Sequence, residues 1–279
     1  MANGSDNSGT LVLGSNGKTG SRIVERLRAA GNEVRLGSRS ATPPFDWNDR
    51  TTWPAVLDGI GSAYVAYQPD LCVPGAVATV TAFFDAATKA GVRKIVLLSG
   101  RGEPEAQDAE KALQATSLDW TIIRASWFFQ NFSENYFLDD IRAGRMTLPD
   151  SLAAEPFVDA EDIAEIAALA LTGNRHSRQL YEVTGPEAIT FAEAMSVIGR
   201  ALGREIQFQV VPMDVYRQAL LDAQLPREIV DLIVYLFTTV LDGRNTPLTD
   251  GVQRALGRGP KTLSDYVART VPTGVWGAR

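Results

Sequence analysis

Three glycines stand at a regular spacing near the start of the chain, in the segment LVLGSNGKTGSR. Gly14, Gly17 and Gly20 follow a short aliphatic run and precede residues with helical spacing. Glycines in such a loop permit a tight turn, let backbone approach a diphosphate and let the next helix pack against its strand. The N-terminus of that helix attracts phosphate charge. The strand–loop–helix context therefore predicts a dinucleotide-binding loop, with a merely structural turn as the alternative.

The residues after the second predicted strand indicate which dinucleotide is bound. Enzymes that prefer NAD place an acidic residue against the ribose 2′-hydroxyl, about twenty residues after the glycine loop. This chain has Ser38, Arg39 and Ser40 in that region. A guanidinium with neighbouring hydroxyls suits a 2′-phosphate. We therefore predict NADPH as the cofactor; the alternative is that Arg39 is a solvated arginine at the end of a strand.

Several familiar catalytic arrangements are missing from the sequence. No lysine stands four residues after a tyrosine, so the Tyr-x-x-x-Lys pair of short-chain dehydrogenases is absent, and so is a G-x-S-x-G motif. The chain has one cysteine, Cys72, and one histidine, His176. These counts exclude an intramolecular disulfide and argue against a metal site of the zinc type. We expect Cys72 to be a small buried residue and His176 to lie at the surface.

The composition argues against several classes of partner. The 279-residue chain has 27 Lys and Arg against 33 Asp and Glu, a net charge of −6, and no basic run. Nucleic acid and anionic membrane surfaces would repel such a protein. Its longest apolar stretch, residues 229–241, is too short to span a bilayer. The polar residues 1–9 predict a flexible tail and not a signal peptide, so we expect a cytoplasmic protein that acts on a small molecule, as a monomer or homodimer.

Strands and helices alternate along the first half of the chain, which predicts an α/β, Rossmann-like, doubly wound parallel sheet. Predicted strands include residues 11–13, 33–38, 62–67, 94–100, 119–125, 179–185 and 206–212. We place an NAD(P)-binding domain at residues 1–155. Residues 156–279 are expected to supply the remainder of the sheet and a smaller, mostly helical, substrate-binding cap, intertwined with the first domain. Because carboxyl ends of parallel strands lie along one edge, the residues after each strand are expected to share one cleft.

Four segments together resemble the NmrA-like atypical short-chain dehydrogenases. They are the glycine loop, the aromatic turn FDWNDRTTW, the block TIIRASWFFQNF and the block PFVDAEDIAEIAALALT. Within that family the likeness is strongest to the ergot-alkaloid branch around festuclavine dehydrogenase, and it spans roughly residues 11–185. The resemblance implies a reductase that uses a nicotinamide cofactor. Members of the ergot branch reduce the C=N bond of a cyclic iminium, and other relatives reduce quinones or benzylic ethers.

The resemblance also assigns the cofactor contacts. It implies phosphate contacts at Ser15, Asn16, Lys18 and Thr19, and adenine contacts at Asp46 and Trp47. Along the nicotinamide half it implies Tyr67, Gln68 and Pro69, with Ser99 and Gly100 ending the strand beneath the nicotinamide. Lys18 has an alternative as a surface lysine in the first turn of the helix.

The resemblance and the chemistry of the acceptor together suggest the catalytic residues. Ether and isoflavone reductases of the family carry a lysine where this chain has Asp108, with Lys111 three residues on. An iminium acceptor is already cationic, so it needs no proton donor for hydride transfer, and aromatic or carboxylate surroundings favour it. We therefore propose Tyr67 and Asp108 as catalytic candidates and Trp127, Phe128 and Tyr136 as substrate-binding candidates. The alternatives are a solvated helix residue for Asp108, core packing for the aromatics and, for the whole chain, a non-catalytic NADP(H)-sensing regulator.

Overall fold

A computed structural model describes residues 8–134, 136–149 and 153–277 of the chain. The strands are β1 Gly9–Leu13, β2 Val34–Gly37, β3 Ile60–Val65, β4 Lys94–Gly100, β5 Asp119–Ala125, β6 Arg145–Pro149, β7 Gln179–Val183 and β8 Gln207–Val211. The helices are α1 Gly20–Ala29, α2 Trp53–Leu57, α3 Ala76–Lys89, α4 Pro104–Gln114, α5 Leu138–Ala143, α6 Ala160–Thr172, α7 Phe191–Leu202, α8 Met213–Asp222, α9 Arg227–Tyr235, α10 Gly251–Leu256 and α11 Leu263–Thr270. A π-helical turn, Leu236–Val240, follows α9.

The larger sheet is parallel and has the strand order β2-β1-β3-β4-β5-β7. From β1 the chain adds β2 on one side and then crosses to add β3 on the other side. The strand order therefore reverses between β1 and β3, and open α/β sheets bind ligands beyond the carboxyl ends of such strands. The loops after β1 and β3 meet there, since a Cβ added to Gly14 would lie 3.8 Å from the Cβ of Ala66.

The strands at the centre of this sheet are apolar because helices cover both faces. Every residue of β3 is buried, as are Leu11, Val12 and Leu13 of β1. On α1 the buried side chains recur at helical spacing, whereas the basic residues of its other face stay more exposed. This pattern is typical of a parallel sheet between two helical layers.

The described chain divides into two compact units. Unit 1 contains the whole parallel sheet and consists of the described residues of Met1–Ala125, Ala160–Val183 and Gly251–Arg258. Unit 2 consists of the described residues of Ser126–Asp159, Thr184–Asp250 and Gly259–Arg279. It contains the two-stranded parallel ladder β6-β8, several helices and a core rich in phenylalanine. The predicted boundary at residue 155 and this division assign residues 126–155, 160–183 and 251–258 differently.

The predicted fold class is confirmed, and β4 and β5 have the predicted bounds. Strand β6 and helix α5 were not predicted, because their short segments lack a clear period. The predicted tail covered residues 1–9, but Gly9 is the first residue of β1. Residues 1–7 of that tail lie outside the described residues. The surface prediction for His176 is wrong, because its ring is buried and its Nδ1 lies 3.0 Å from the Tyr181 hydroxyl. None of the described helices is long and apolar enough to cross a membrane.

Candidate functional site

The glycine loop after β1 has the close approaches that its sequence predicts. Gly14 has φ +65°, a left-handed conformation that favours glycine. A Cβ on Gly20 would lie 2.1 Å from the carbonyl oxygen of Gly14, so α1 packs against the turn with no room for a side chain. A Cβ on Gly17 would lie 3.2 Å from the same oxygen. Gly17 is exposed, which leaves its backbone open to a ligand.

The start of α1 has the polar groups that an anion requires. Ser15 is buried, and its Oγ has no hydrogen-bond partner within the described chain. The helix begins without a side-chain cap and without an acidic residue in its first turn, so its dipole is not neutralised there. Thr19 Oγ accepts a 2.8 Å hydrogen bond from the buried Tyr64 hydroxyl, and its own proton stays available as a donor. These groups fit a diphosphate.

The loop after β2 lies beside the glycine loop. Asn16 Nδ2 donates a 3.3 Å hydrogen bond to Ser40 Oγ, and Ser38 Oγ lies 3.4 Å from the same oxygen. Arg39, between the two serines, is exposed. Lys18 is half-buried, and its carbonyl accepts a 2.6 Å hydrogen bond from Arg22 Nη1. The structure therefore brings the predicted phosphate and 2′-phosphate residues to one end of the sheet.

Two of the predicted adenine and nicotinamide residues, Trp47 and Tyr67, belong to one aromatic cluster. The Trp47 and Tyr67 rings lie 5.0 Å apart and pack against the core of unit 1. Asp46 shapes the turn: its Oδ1 accepts from the Asn48 N–H at 2.9 Å, and its carbonyl accepts from Trp53 Nε1 at 2.9 Å. Tyr67 is half-buried, so part of this residue remains accessible to a ligand.

The ends of β3 and β4 differ in exposure. Gln68 and Pro69, after β3, are exposed. Ser99, at the end of β4, is buried, and its hydroxyl donates to the carboxylate of Glu110. Ser99 is thus held by the protein interior, whereas Gln68 and Pro69 are free to contact a ligand from solvent.

Glu110 is the centre of a buried network that the sequence analysis missed. Arg124 binds it through two nitrogens, with Nε at 2.9 Å from Oε1, and also reaches Glu182 at 3.4 Å. Arg101 adds a 2.6 Å bond to Glu182. The hydrogen bond to Glu110 raises the pKa of Arg124. The network ties α4, β5 and β7 to the end of β4, and so positions Ser99.

A carboxyl cluster lies just past the ends of β3 and β4. One carboxyl oxygen of Asp70, the sulfur of Cys72 and one carboxyl oxygen of Glu103 all lie within 4.8 Å of one another. Glu103 is only 6% exposed, and its carboxyl group packs on the backbone of Gly100, where an added Cβ would lie 2.2–2.3 Å from it. Burial, the charge and hydrogen bond of Asp70, and the charge of Glu105 together raise the pKa of Glu103 well above its ordinary value. Asp70 and Glu103 were not among the predicted site residues, although acidic residues after adjacent strands were a usable signal.

Cys72 is half-buried, not fully buried as expected. Burial, followed by the charges of Asp70 and Glu103, raises the pKa of its thiol. A thiol held neutral in this way is a weak nucleophile. The structure thus agrees with the sequence analysis that Cys72 has no nucleophilic role.

Asp108 lies on the exposed face of α4, away from the buried side chains of that helix. Its carboxylate is 59% exposed and pairs with Lys111 Nζ at 2.8 Å. An ion pair of this kind on a helix surface is ordinary and weak. The contacts of Asp108 therefore favour the alternative of a solvated helix residue over a catalytic role.

The predicted substrate residues Trp127, Phe128 and Tyr136 belong to unit 2. The half-buried Trp127 ring lies 6.0 Å from Phe191 and 5.6 Å from Phe237, both edge-on. Phe237 belongs to the π-helical turn, an element that is frequent at functional sites. Tyr136 is 42% exposed and packs edge-on against a buried phenylalanine. Phe128 is half-buried, and its backbone pairs with β-bridge geometry to Val158.

The fold and the glycine loop define an NAD(P)-binding protein of the Rossmann type. The model of the NmrA-like family matches residues 45–267, and the chain belongs to that family. It is an oxidoreductase of the atypical short-chain dehydrogenase type, which confirms the resemblance inferred from the sequence.

Two curated relatives and one solved structure illustrate the likeness. The (4-alkanoyl-5-oxo-2,5-dihydrofuran-3-yl)methyl phosphate reductase of Streptomyces griseus is 31% identical, over 92% of this chain and 96% of its own length. Festuclavine dehydrogenase easG of Aspergillus fumigatus is 28% identical, over 92% and 95%. The crystal structure of Citrobacter sp. triphenylmethane reductase complexed with NADP(H) has a TM-score of 0.75 at 18% identity, over 94% of this chain and 99% of that one.

Proposed function

We propose that this protein is an NADPH-dependent reductase of a small, electron-poor, partly aromatic acceptor, with a C=N bond favoured over a quinone or an enone. The observation that carries the proposal is the glycine loop at the point where strand order reverses. Its buried, unpartnered Ser15 hydroxyl and the close approach of Gly20 to Gly14 suit a bound diphosphate. The names of the two relatives support reductase chemistry on small molecules.

Different residues of the chain would bind different parts of the cofactor. Ser15, Thr19 and the N-terminus of α1 would hold the diphosphate, and Arg39 with its flanking serines would hold the 2′-phosphate. Trp47 and Tyr67 would border the adenine and nicotinamide halves. When bound, NADPH supplies the hydride. Tyr64 acts as a positioning residue, because it fixes the Thr19 hydroxyl from inside the sheet.

The preference for a C=N acceptor follows from the residues that the chain offers. A cyclic iminium carries its own positive charge, so it is favoured by nearby carboxylates and aromatic faces. The half-buried Trp127 and the partly exposed Tyr136 of unit 2 are the aromatic candidates for such a contact. The likeness to festuclavine dehydrogenase supports the same preference. Quinones and enones are the further acceptors, and they need a proton as well as a hydride.

The experiment has two stages. Calorimetry with NADPH, NADP⁺, NADH and NAD⁺ tests the cofactor, and NADPH absorbance with a panel of cyclic iminium salts, quinones and enones tests the reaction. We expect tight binding of the phosphorylated pair and turnover of at least one acceptor class. Tight binding without any turnover would instead indicate an NADP(H)-sensing regulator, and no binding of any form would refute the proposal. The cytoplasmic location and the monomer or homodimer state stay predictions.

A further inference from the structure

A neutral acceptor poses a chemical problem that an iminium does not. Hydride addition to a quinone or an enone leaves an anion, which must be protonated to complete the reduction. The sequence has no Tyr-x-x-x-Lys pair to supply that proton. Asp108 is exposed and pairs with Lys111, so it is not a suitable source either. The cluster past β3 and β4 is a different source.

Its geometry separates the two carboxyl groups by environment. Glu103 is buried, and its Oε2 has no hydrogen-bond partner among the residues that the structure describes. Asp70 is half-exposed, and its Oδ1 accepts a 3.1 Å hydrogen bond from the Cys72 N–H. One member therefore faces the interior and the other faces solvent at the carboxyl edge of the sheet. Asp70 directly follows Pro69, and Glu103 packs on Gly100, both assigned above to the nicotinamide half.

We propose that Asp70 and Glu103 share one proton, and that this pair is the acid that protonates neutral acceptors after hydride addition. This inference rests on the proposed function. Asp70, the accessible member, contacts the acceptor, and Glu103 is a positioning residue that retains the proton when the site is empty.

The step balances in atoms and charge. The acceptor double bond takes hydride at one atom, with the electron pair moving to the other atom. That second atom takes the proton from the pair, which becomes doubly ionised and regains a proton from water. An iminium becomes a neutral amine on hydride addition alone, so it does not use the pair.

The surrounding charges explain why the pair keeps its proton. The titratable groups that face Glu103 are Asp70 and Cys72 from the loop after β3 and Glu105 from the first turn of α4. All three are acidic, so none can neutralise a second negative charge. Two carboxyl groups this close, one of them desolvated, resist ionising together. The raised pKa of Glu103 agrees with this geometry.

The test compares two acceptors in matched variants. Glu103→Gln and Asp70→Asn remove the shared proton at nearly constant volume, and Asp85→Asn makes the same chemical change on the exposed face of α3. We expect Glu103→Gln and Asp70→Asn to lower kcat for a quinone by about 10²-fold or more, the usual contribution of a general acid. Their kcat for a cyclic iminium salt and their NADPH affinity should stay near the wild-type values. Asp85→Asn should change neither reaction.

Two further measurements do not depend on turnover. Difference infrared spectroscopy of the wild-type protein at pH 7 should show the carbonyl band of a protonated carboxyl group, and Glu103→Gln should lack it. The rate of quinone reduction should fall as pH rises through the pKa of the pair, because the protonated form is required. The rate of iminium reduction should show no such fall.

Several results would overturn the inference. Equal losses for quinone and iminium would show a structural role, and no loss for quinone would show a different acid. Absence of the infrared band would mean that both carboxylates are ionised. Failure of this inference leaves NADPH binding and iminium turnover intact, whereas failure of the proposed function removes them.

Discussion

Replacing Gly20 by alanine tests the structural basis of the cofactor site. The added Cβ would lie 2.1 Å from the carbonyl oxygen of Gly14, 2.7 Å from its carbonyl carbon and 3.0 Å from Cα of Ser15. All three atoms are backbone, so no side chain can rotate away. A Cβ added to Gly17 would lie 3.2 Å from the same oxygen. For the Cβ of residue 20 to reach that distance, the turn or α1 must shift by 1.1 Å, the difference between the two distances.

A shift of this size has two consequences. Hydrogen bonds from the loop to a phosphate tolerate only a few tenths of an ångström, so we expect NADPH affinity to fall at least tenfold, about 1.4 kcal/mol. Overpacking of this kind also costs about 1–3 kcal/mol in the free energy of unfolding. For a chain of this size that lowers the melting temperature by about 2–6 °C.

The assay pairs calorimetric titration with NADPH and thermal unfolding without it. Gly259→Ala is the matched control, because a Cβ there meets nothing within 4 Å and the residue has no left-handed φ. The control should behave like the wild type in both measurements. A Gly20→Ala variant with wild-type NADPH affinity and melting temperature would refute the close packing of α1 on the loop, and with it the argument for a diphosphate site.

Three further predictions concern the same unit. Arg39→Ala should weaken NADPH binding by about 1.5–3 kcal/mol, the scale of a hydrogen bond to a charged group, with NADH little changed; an equal loss for both in calorimetry would show that Arg39 does not contact the 2′-phosphate. Glu110→Ala should lower the free energy of unfolding by about 1–3 kcal/mol, because Ser99 and Arg124 lose their shared buried acceptor and Arg124 keeps only its longer contact with Glu182. No measurable loss in denaturant unfolding would contradict the burial of Glu110. In the unfolded chain Glu103 loses its proton above the ordinary pKa of 4.5, whereas in the folded chain its raised pKa retains the proton to higher pH. The free energy of unfolding should therefore fall by up to about 1.4 kcal/mol per pH unit as pH rises from 4.5 towards the raised pKa. Glu103→Gln should remove that slope in unfolding curves measured across pH, and an unchanged slope would mean that another group causes it.

The parallel sheet and the glycine loop could both be predicted from the amino-acid sequence. Both are local patterns: apolar runs of strand length alternate with helical spacing, and the glycine positions fix which backbone conformations the loop can adopt. β4 and β5 were predicted with their observed bounds for that reason. The family resemblance was likewise carried by contiguous blocks of sequence, and the match over residues 45–267 confirms it.

Which polar side chains contact one another could not be predicted without the folded structure. Asp70 and Glu103 are 33 residues apart in the sequence, and it is the pairing of β3 with β4 that brings oxygens of their carboxyl groups within 4.8 Å. Periodicity placed Asp108 on a helix but did not decide its face, and the structure shows that face to be exposed. His176 was predicted to lie at the surface because its neighbours in the loop are polar, yet its ring is buried beside Tyr181. Burial and pairing of charged groups depend on long-range contacts, and these follow from how the strands and helices pack, not from the spacing of residues along the chain.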